Sequence, residues 1–194
     1  ALTLNPFSMD AYVNSGYIQT KLGQYTEALN SYQHALRLES GNPHARLNYA
    51  INLLLLGHFE EGWSEYESRF TAQPYNCPRS PLVDVPTWDG SSWEGMWLFV
   101  FAEQGYGDTL QFVRFFSELK ALGIKILFAC QEPLIKLLKG HADLVIPLFE
   151  RNLPCKPDYQ LPLLSLPRIL KTGLDTIPNH VPYVSPPEDL VREW

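Results

Sequence analysis

The chain has 194 residues, 45% of them hydrophobic, which is enough for one large domain or two small ones with real cores. With 15 Lys and Arg against 21 Asp and Glu, its formal charge of -6 leaves no basic face to displace counterions from phosphates, which argues against nucleic acid as a partner. The apolar runs INLLLLG and MWLFVFA are too short to cross a bilayer, no basic-then-apolar leader opens the chain, and Cys77, Cys130 and Cys155 have neither CxxC spacing nor a nearby histidine, so a cytoplasmic, reducing address is expected and no metal site.

The first elements form a repeat. Residues 9–42 register on residues 43–70 at a shift of 34, matching Ala11 to Ala45, Asn14 to Asn48, Leu22-Gly23 to Leu56-Gly57, Glu27 to Glu61 and Tyr32 to Tyr66. Each copy reads as two amphipathic helices joined at the Leu-Gly pair, where glycine ends the first helix in a left-handed conformation. Asn42-Pro43 restarts the pattern as a cap followed by proline at the first helical position. Period and pattern resemble the tetratricopeptide repeat (TPR), whose small residue, Leu-Gly pair, aromatic and alanine are here Gly16, Leu22-Gly23, Tyr25 and Ala28. The second copy departs by placing Gly62 where alanine is usual, with Trp63 beside it, as a terminal repeat does. The opening ALTLNP fits the closing turn of an earlier repeat, so the array is expected to begin upstream.

Residues 71–96 contain four prolines and no clear periodicity, as in an extended connector, with Trp88 and Trp93 as candidate anchors. From residue 97 to 194, short apolar runs alternate with helical ones: WLFVFAEQ, DTLQFVRFFSELKALG, KILFACQ, EPLIKLLKG, DLVIPLF and YQLPLLSLPRIL. Such alternation predicts a small parallel sheet with helical crossovers. The expected fold class is therefore α plus α/β, with helical hairpins followed by a small Rossmann-like domain.

In such sheets ligands bind outside the carboxyl ends of the strands, and Gly105-Tyr106-Gly107-Asp108 occupies the first of these turns. Its glycines permit a tight bend, and a following helix N-terminus suits an anion. A dinucleotide fingerprint would need a third glycine where Leu110 stands, and the Gly-Lys-Ser/Thr of a P-loop is absent. Asp108 has two readings, as an N-cap for the segment TLQF or as a general base, and Glu103 is a second carboxylate able to face the same crevice. The five histidines are scattered, and Ser165 lacks the GxSxG setting of a nucleophile.

The blocks FEEGWSEYESRF, PTWDGSSWEG, AEQGYGDTLQFVRF, PLLSLPRIL and DTIPNHVPYV, in this order, resemble a bacterial family in which TPR arrays precede a glycosyltransferase-like domain. That domain is similar to the lipopolysaccharide heptosyltransferases of two-lobed GT-B architecture. The resemblance implies that residues 97–194 are the N-terminal, acceptor-side lobe, with Asp108 as the base that activates the acceptor hydroxyl. It also implies that Glu103, Gln104, Gly105, Gly107 and Gln111 shape the substrate cleft, with no metal, no cofactor and a nucleotide-sugar donor held by a lobe beyond Trp194. Tyr106 replaces a usual leucine, and Gln160 stands where these proteins often have histidine. Related TPR superhelices project asparagines toward a bound peptide backbone, which Asn14 and Asn48 would do here. Two functions follow: sugar transfer to a glycan or protein acceptor in the full-length protein, or a non-catalytic scaffold that binds a protein or peptide in the TPR groove.

Overall fold

The computed structural model describes residues 7–72, 82–91, 93–186 and 191–192. The ALTLNP turn, the middle of the connector with Cys77, and Trp194 lie outside the described residues. The chain divides into two compact units, one helical and one α/β, and the short segment Lys171–Thr176 belongs with the helical unit.

The helical unit consists of α1 (Met9–Lys21), α2 (Tyr25–Leu38), α3 (Pro43–Leu55) and α4 (Phe59–Glu65), the last running into a 3-10 turn over Tyr66–Phe70. Local sequence sets these limits. Ser8 and Asn42 cap α1 and α3 by accepting from Ala11 N and Ala45 N at 3.3 and 3.0 Å. Gly23 and Gly57 end the same helices with φ of +76° and +83°, a conformation other residues adopt at a cost. Ala28, Tyr32, Tyr49 and Leu53 make the buried seam between α2 and α3.

Close approach within each hairpin depends on one small residue. A Cβ added to Gly16 of α1 would lie 2.8 Å from the buried ring of Tyr32 on α2, and one added to Gly62 of α4 would lie 2.8 Å from Leu54 on α3. This explains why the second copy has glycine where the first has Ala28. Beyond α4, Arg69 is 1% exposed, its Nη1 donating to Glu67 Oε1 at 2.8 Å while its guanidinium lies 4.1 Å from the ring centre of Phe70.

The α/β unit has four strands, β1 (Trp97–Phe101), β2 (Lys125–Cys130), β3 (Leu144–Pro147) and β4 (Tyr159–Pro162), all parallel and ordered β3-β2-β1-β4. Between β1 and β2 the chain forms α5 (Tyr106–Phe112), a 3-10 turn and α6 (Phe116–Ala121); α7 (Ile135–Leu138) precedes β3, and α8 (Leu166–Ile169) follows β4. Both faces of the central strands are covered, as parallel sheets require. Phe99, Phe101, Leu127 and Ala129 pack on one face, while on the other Phe128 meets Phe116 edge-on at 4.9 Å.

Part of the connector belongs to this unit. Trp88 is 1% exposed, its indole N–H donates to Ser91 O, and its backbone N–H donates to Gln160 O at 2.9 Å. The Gln160 amide on β4 donates to the carbonyls of Leu82 and Val85, holding the connector beside the strand. Trp93 is half exposed and meets Tyr159 edge-on.

Gly16→Ala is expected to lower unfolding free energy by about 1–2 kcal/mol, because overpacking against Tyr32 outweighs the gain in helix propensity. A thermal melt compared with Gly41→Ala, where an added Cβ meets nothing within 4 Å, checks this.

Candidate functional site

The order β3-β2-β1-β4 places a topological switch between β1 and β4, since the chain leaves β1 toward β2 and returns on its other side. Six predicted residues follow β1 here, but their roles separate. Glu103 is 7% exposed, and its Oε1 accepts from the buried Leu164 N–H at 3.0 Å. Its carboxylate therefore ties the end of β1 to the turn after β4. Gln104 gives its backbone carbonyl to Gln131 Nε2 at 2.7 Å.

Gly105, with φ of -70° and ψ of 171°, is the N-cap of α5. Asp108 is thus not the N-cap that the segment TLQF suggested. The helix begins three residues earlier, with extended Gly105 as its cap and Tyr106 as its first residue, and Asp108 sits at the third helical position. From there its Oδ2 accepts from Gly105 N at 3.0 Å, the backward half of a capping box. Its other oxygen has no partner among the described residues. The expected anion site at this turn changes accordingly: α5 spans seven residues, and Asp108 itself places negative charge in the first turn. Gly107 and Gln111 are exposed on α5, and the Gln111 carbonyl accepts from Arg114 Nε at 2.9 Å.

Gln131, directly after β2, was not singled out from sequence. Its Oε1 accepts from the buried Thr109 hydroxyl at 2.9 Å while its amide holds Gln104, so one side chain braces both ends of the glycine turn. Only its position at the end of an apolar run marks it. Gln131 also borders a cavity of about 710 Å³ at the carboxyl ends of β2 and β3, shared with Tyr106, Glu132, Phe149, Arg151 and Asn152. Of the glycine turn, this cavity takes Tyr106; Asp108 lies off it.

Neither thiol among the described residues is suited to act as a nucleophile. Burial pushes Cys130 up to about 11, and burial together with the nearby Asp158 charge raises Cys155. Among the described residues no group of three His, Cys, Asp or Glu side chains is placed to hold a metal ion, and no helix is long and apolar enough to cross a membrane.

The helical unit brings the other predicted pair together. Asn14 of α1 and Asn48 of α3 line one concavity of about 330 Å³, with Asp10, Val13, Tyr17 and His44. Neither side-chain amide has a hydrogen-bond partner among the described residues. The spacing of their helices is set one turn away by Asn52, 1% exposed, whose Oδ1 accepts from the Thr20 hydroxyl at 3.0 Å while its Nδ2 donates to Asn48 O at 2.9 Å. Sequence reasoning passed over Asn52, which falls on a face otherwise apolar.

Glu103→Ala is expected to cost about 1–3 kcal/mol in urea denaturation, since it leaves the buried Leu164 N–H unpaired. An unchanged midpoint would show that Glu103 does not tie the two strand ends.

Comparison with known proteins places the repeats. The tetratricopeptide repeat family model matches residues 20–62, from the end of α1 into α4. The chain is 32% identical over 159 residues to Protein FlbA of Caulobacter vibrioides, covering 79% of this chain and 25% of FlbA. It is 26% identical over 83 residues to an N-terminal acetyltransferase A complex subunit-like protein of Schizosaccharomyces pombe, covering 43% of this chain and 11% of that protein. Among solved structures, an O-GlcNAc transferase mutant of Thermobaculum terrenum aligns over 74% of this chain and 35% of its own, with TM-score 0.35 and 12% identity. The chain spans about a quarter of the length of FlbA. Its helical unit is built of tetratricopeptide repeats, and a parallel α/β unit follows them.

Proposed function

We propose that this chain is the partner-binding part of a larger TPR protein, taking an extended peptide or protein segment along the groove that Asn14 and Asn48 line. One observation carries the reading: the two amides occupy the same repeat position and border one concavity without a hydrogen-bond partner among the described residues. A primary amide offers both donor and acceptor, which matches the alternating groups of an extended backbone. Recognition of this kind is tolerant of side-chain sequence, as suits a presenting surface.

The second reading follows from the block Glu103 to Arg114. In the full-length protein the α/β unit would be the acceptor-side lobe of a GT-B glycosyltransferase that moves a sugar from a nucleotide donor to a hydroxyl acceptor. Asp108, half-buried and with one oxygen uncommitted, is the base this reading assigns. Gly105 and Gly107 give the acceptor room at the turn, with Gln104 and Gln111 flanking it. The donor's diphosphate would be held elsewhere, since the first turn of α5 already contains a carboxylate. Under the first reading, the same lobe acts as a scaffold.

Peptides selected by display against this chain test the groove. The Asn14→Ala, Asn48→Ala double variant should weaken unrelated peptides alike, by about 10- to 100-fold, if each amide contributes about 1 kcal/mol through the backbone. Unchanged affinities would remove the reading. For the transferase, Asp108→Asn keeps an acceptor for Gly105 N–H but no base, so turnover of the full-length protein on nucleotide-sugars should fall by about 100-fold or more. Equal turnover in the Asn variant would leave Asp108 as a helix-capping residue.

A further inference from the structure

The α/β unit has a second concavity, of about 250 Å³, which the glycine turn does not border and which forms where the 3-10 turn after α5 and helix α6 meet Gly140-His141 and the segment after Ile177. Arg114, Ser117, Lys120, His141, His180 and Tyr183 border it, and among the described residues no carboxylate lines it. In a chain of net charge -6, a basic lining without counter-charge calls for a physical account.

The contacts supply it. Arg114 donates from Nε to Gln111 O at 2.9 Å, reaches Pro178 O at 3.5 Å through Nη1, and lies with its guanidinium carbon 4.5 Å from the ring centre of Tyr183. Lys120 Nζ points at Gly140 O at 3.4 Å. His141 Nε2 is 2.9 Å from Tyr183 O, a carbonyl, so this nitrogen is the N–H donor. The recorded contacts of these three side chains thus go to carbonyl dipoles or an aromatic face, which orient a cation without neutralising it. Glu118, one helical turn from Arg114, makes no ion pair with it. His141 Nδ1 is buried and has no partner among the described residues.

We infer that this groove binds a small phosphate-type dianion. The guanidinium fork suits two oxygens of one phosphate, Lys120 adds a point charge, and His180 and Ser117 supply further polar contacts. Its volume is below the roughly 300–1,000 Å³ of pockets that bury drug-sized ligands, which favours a phosphoryl group over a whole nucleotide. Inorganic phosphate and the phosphoryl end of a hexose phosphate share this chemistry. The inference is independent of the functional readings above, because neither Asp108 nor the asparagine pair borders the groove.

Titration of inorganic phosphate into the chain at low ionic strength, followed by the ring proton resonances of His141 and His180, tests it. Saturable shifts of both rings are expected, and chloride at equal ionic strength should not reproduce them. Arg114→Gln should weaken binding about tenfold or more, as loss of a charge-assisted contact does. Should that variant melt early, Lys120→Gln decides, since it leaves the stack on Tyr183 intact; a loss of about threefold or more is expected, of the size of a single exposed charge contact. Unmoved histidine signals, shifts equal to those with chloride, or wild-type affinity in folded Lys120→Gln would overturn the site. A hexose phosphate that binds tighter than inorganic phosphate, beside an inert uncharged hexose, would identify the sugar phosphate as the ligand, and equal affinities would identify free phosphate.

Discussion

Parallel strands are joined by long crossovers and not by hairpins, which leaves their ends to be fixed by other contacts, side chains among them. In the α/β unit four polar residues do this. Asp158 and Asp143, just before β4 and β3, accept from Trp97 N and Ile126 N at 2.9 Å, which fixes the amino ends of β1 and β2. At the carboxyl ends, Glu103 holds Leu164 N and Gln131 holds Gln104 O and Thr109. Each tie runs from a side chain on one strand's end to the chain beside a neighbouring strand. The glycine turn stands on the second pair of ties, so its shape depends on residues outside the turn itself.

The helical unit meets a similar demand by different means. Its hairpins close through the small residues Gly16 and Gly62, and its two first helices are linked by the amide of Asn52 and the hydroxyl of Thr20. Because a buried amide is costly unless satisfied, the link favours one spacing of α1 and α3 over near alternatives. That spacing brings Asn14 and Asn48 to one concavity. Partner recognition, on the proposed reading, rests on a buried bond one turn from the contact surface.

Much of this was legible in the sequence, for identifiable reasons. The repeat showed because a shift of 34 aligns residues under steric constraint: the glycines that end helices and the small residues where helices touch. The strands showed as unbroken apolar runs because a parallel sheet is covered on both faces. Side-chain polarity, by contrast, does not reveal direction. Glu103 looked like a crevice carboxylate, yet it turns inward to a backbone N–H; Gln131 looked ordinary, yet it braces the turn. The N-cap alternative for Asp108 arose because Thr109 begins a clear helical pattern. Glycine at the true cap hides the start of a helix, since it has no side chain to signal it.

The geometry at Asp108 also changes what choosing between cap and base means. A carboxylate has two oxygens, and the bond from Gly105 N uses one of them. That bond fixes the group's orientation, which a general base needs as much as a helix terminus does. Capping is therefore a condition for the catalytic reading and no argument against it. The stricter constraint is position, because the large cavity opens at β2 and β3 and reaches the turn through Tyr106, while Asp108 lies off it. If the transferase reading holds, an acceptor seated in that cavity meets Tyr106 on the side of the glycine turn. On the proposed transferase reading, the ring of Tyr106 would govern which acceptors reach Asp108.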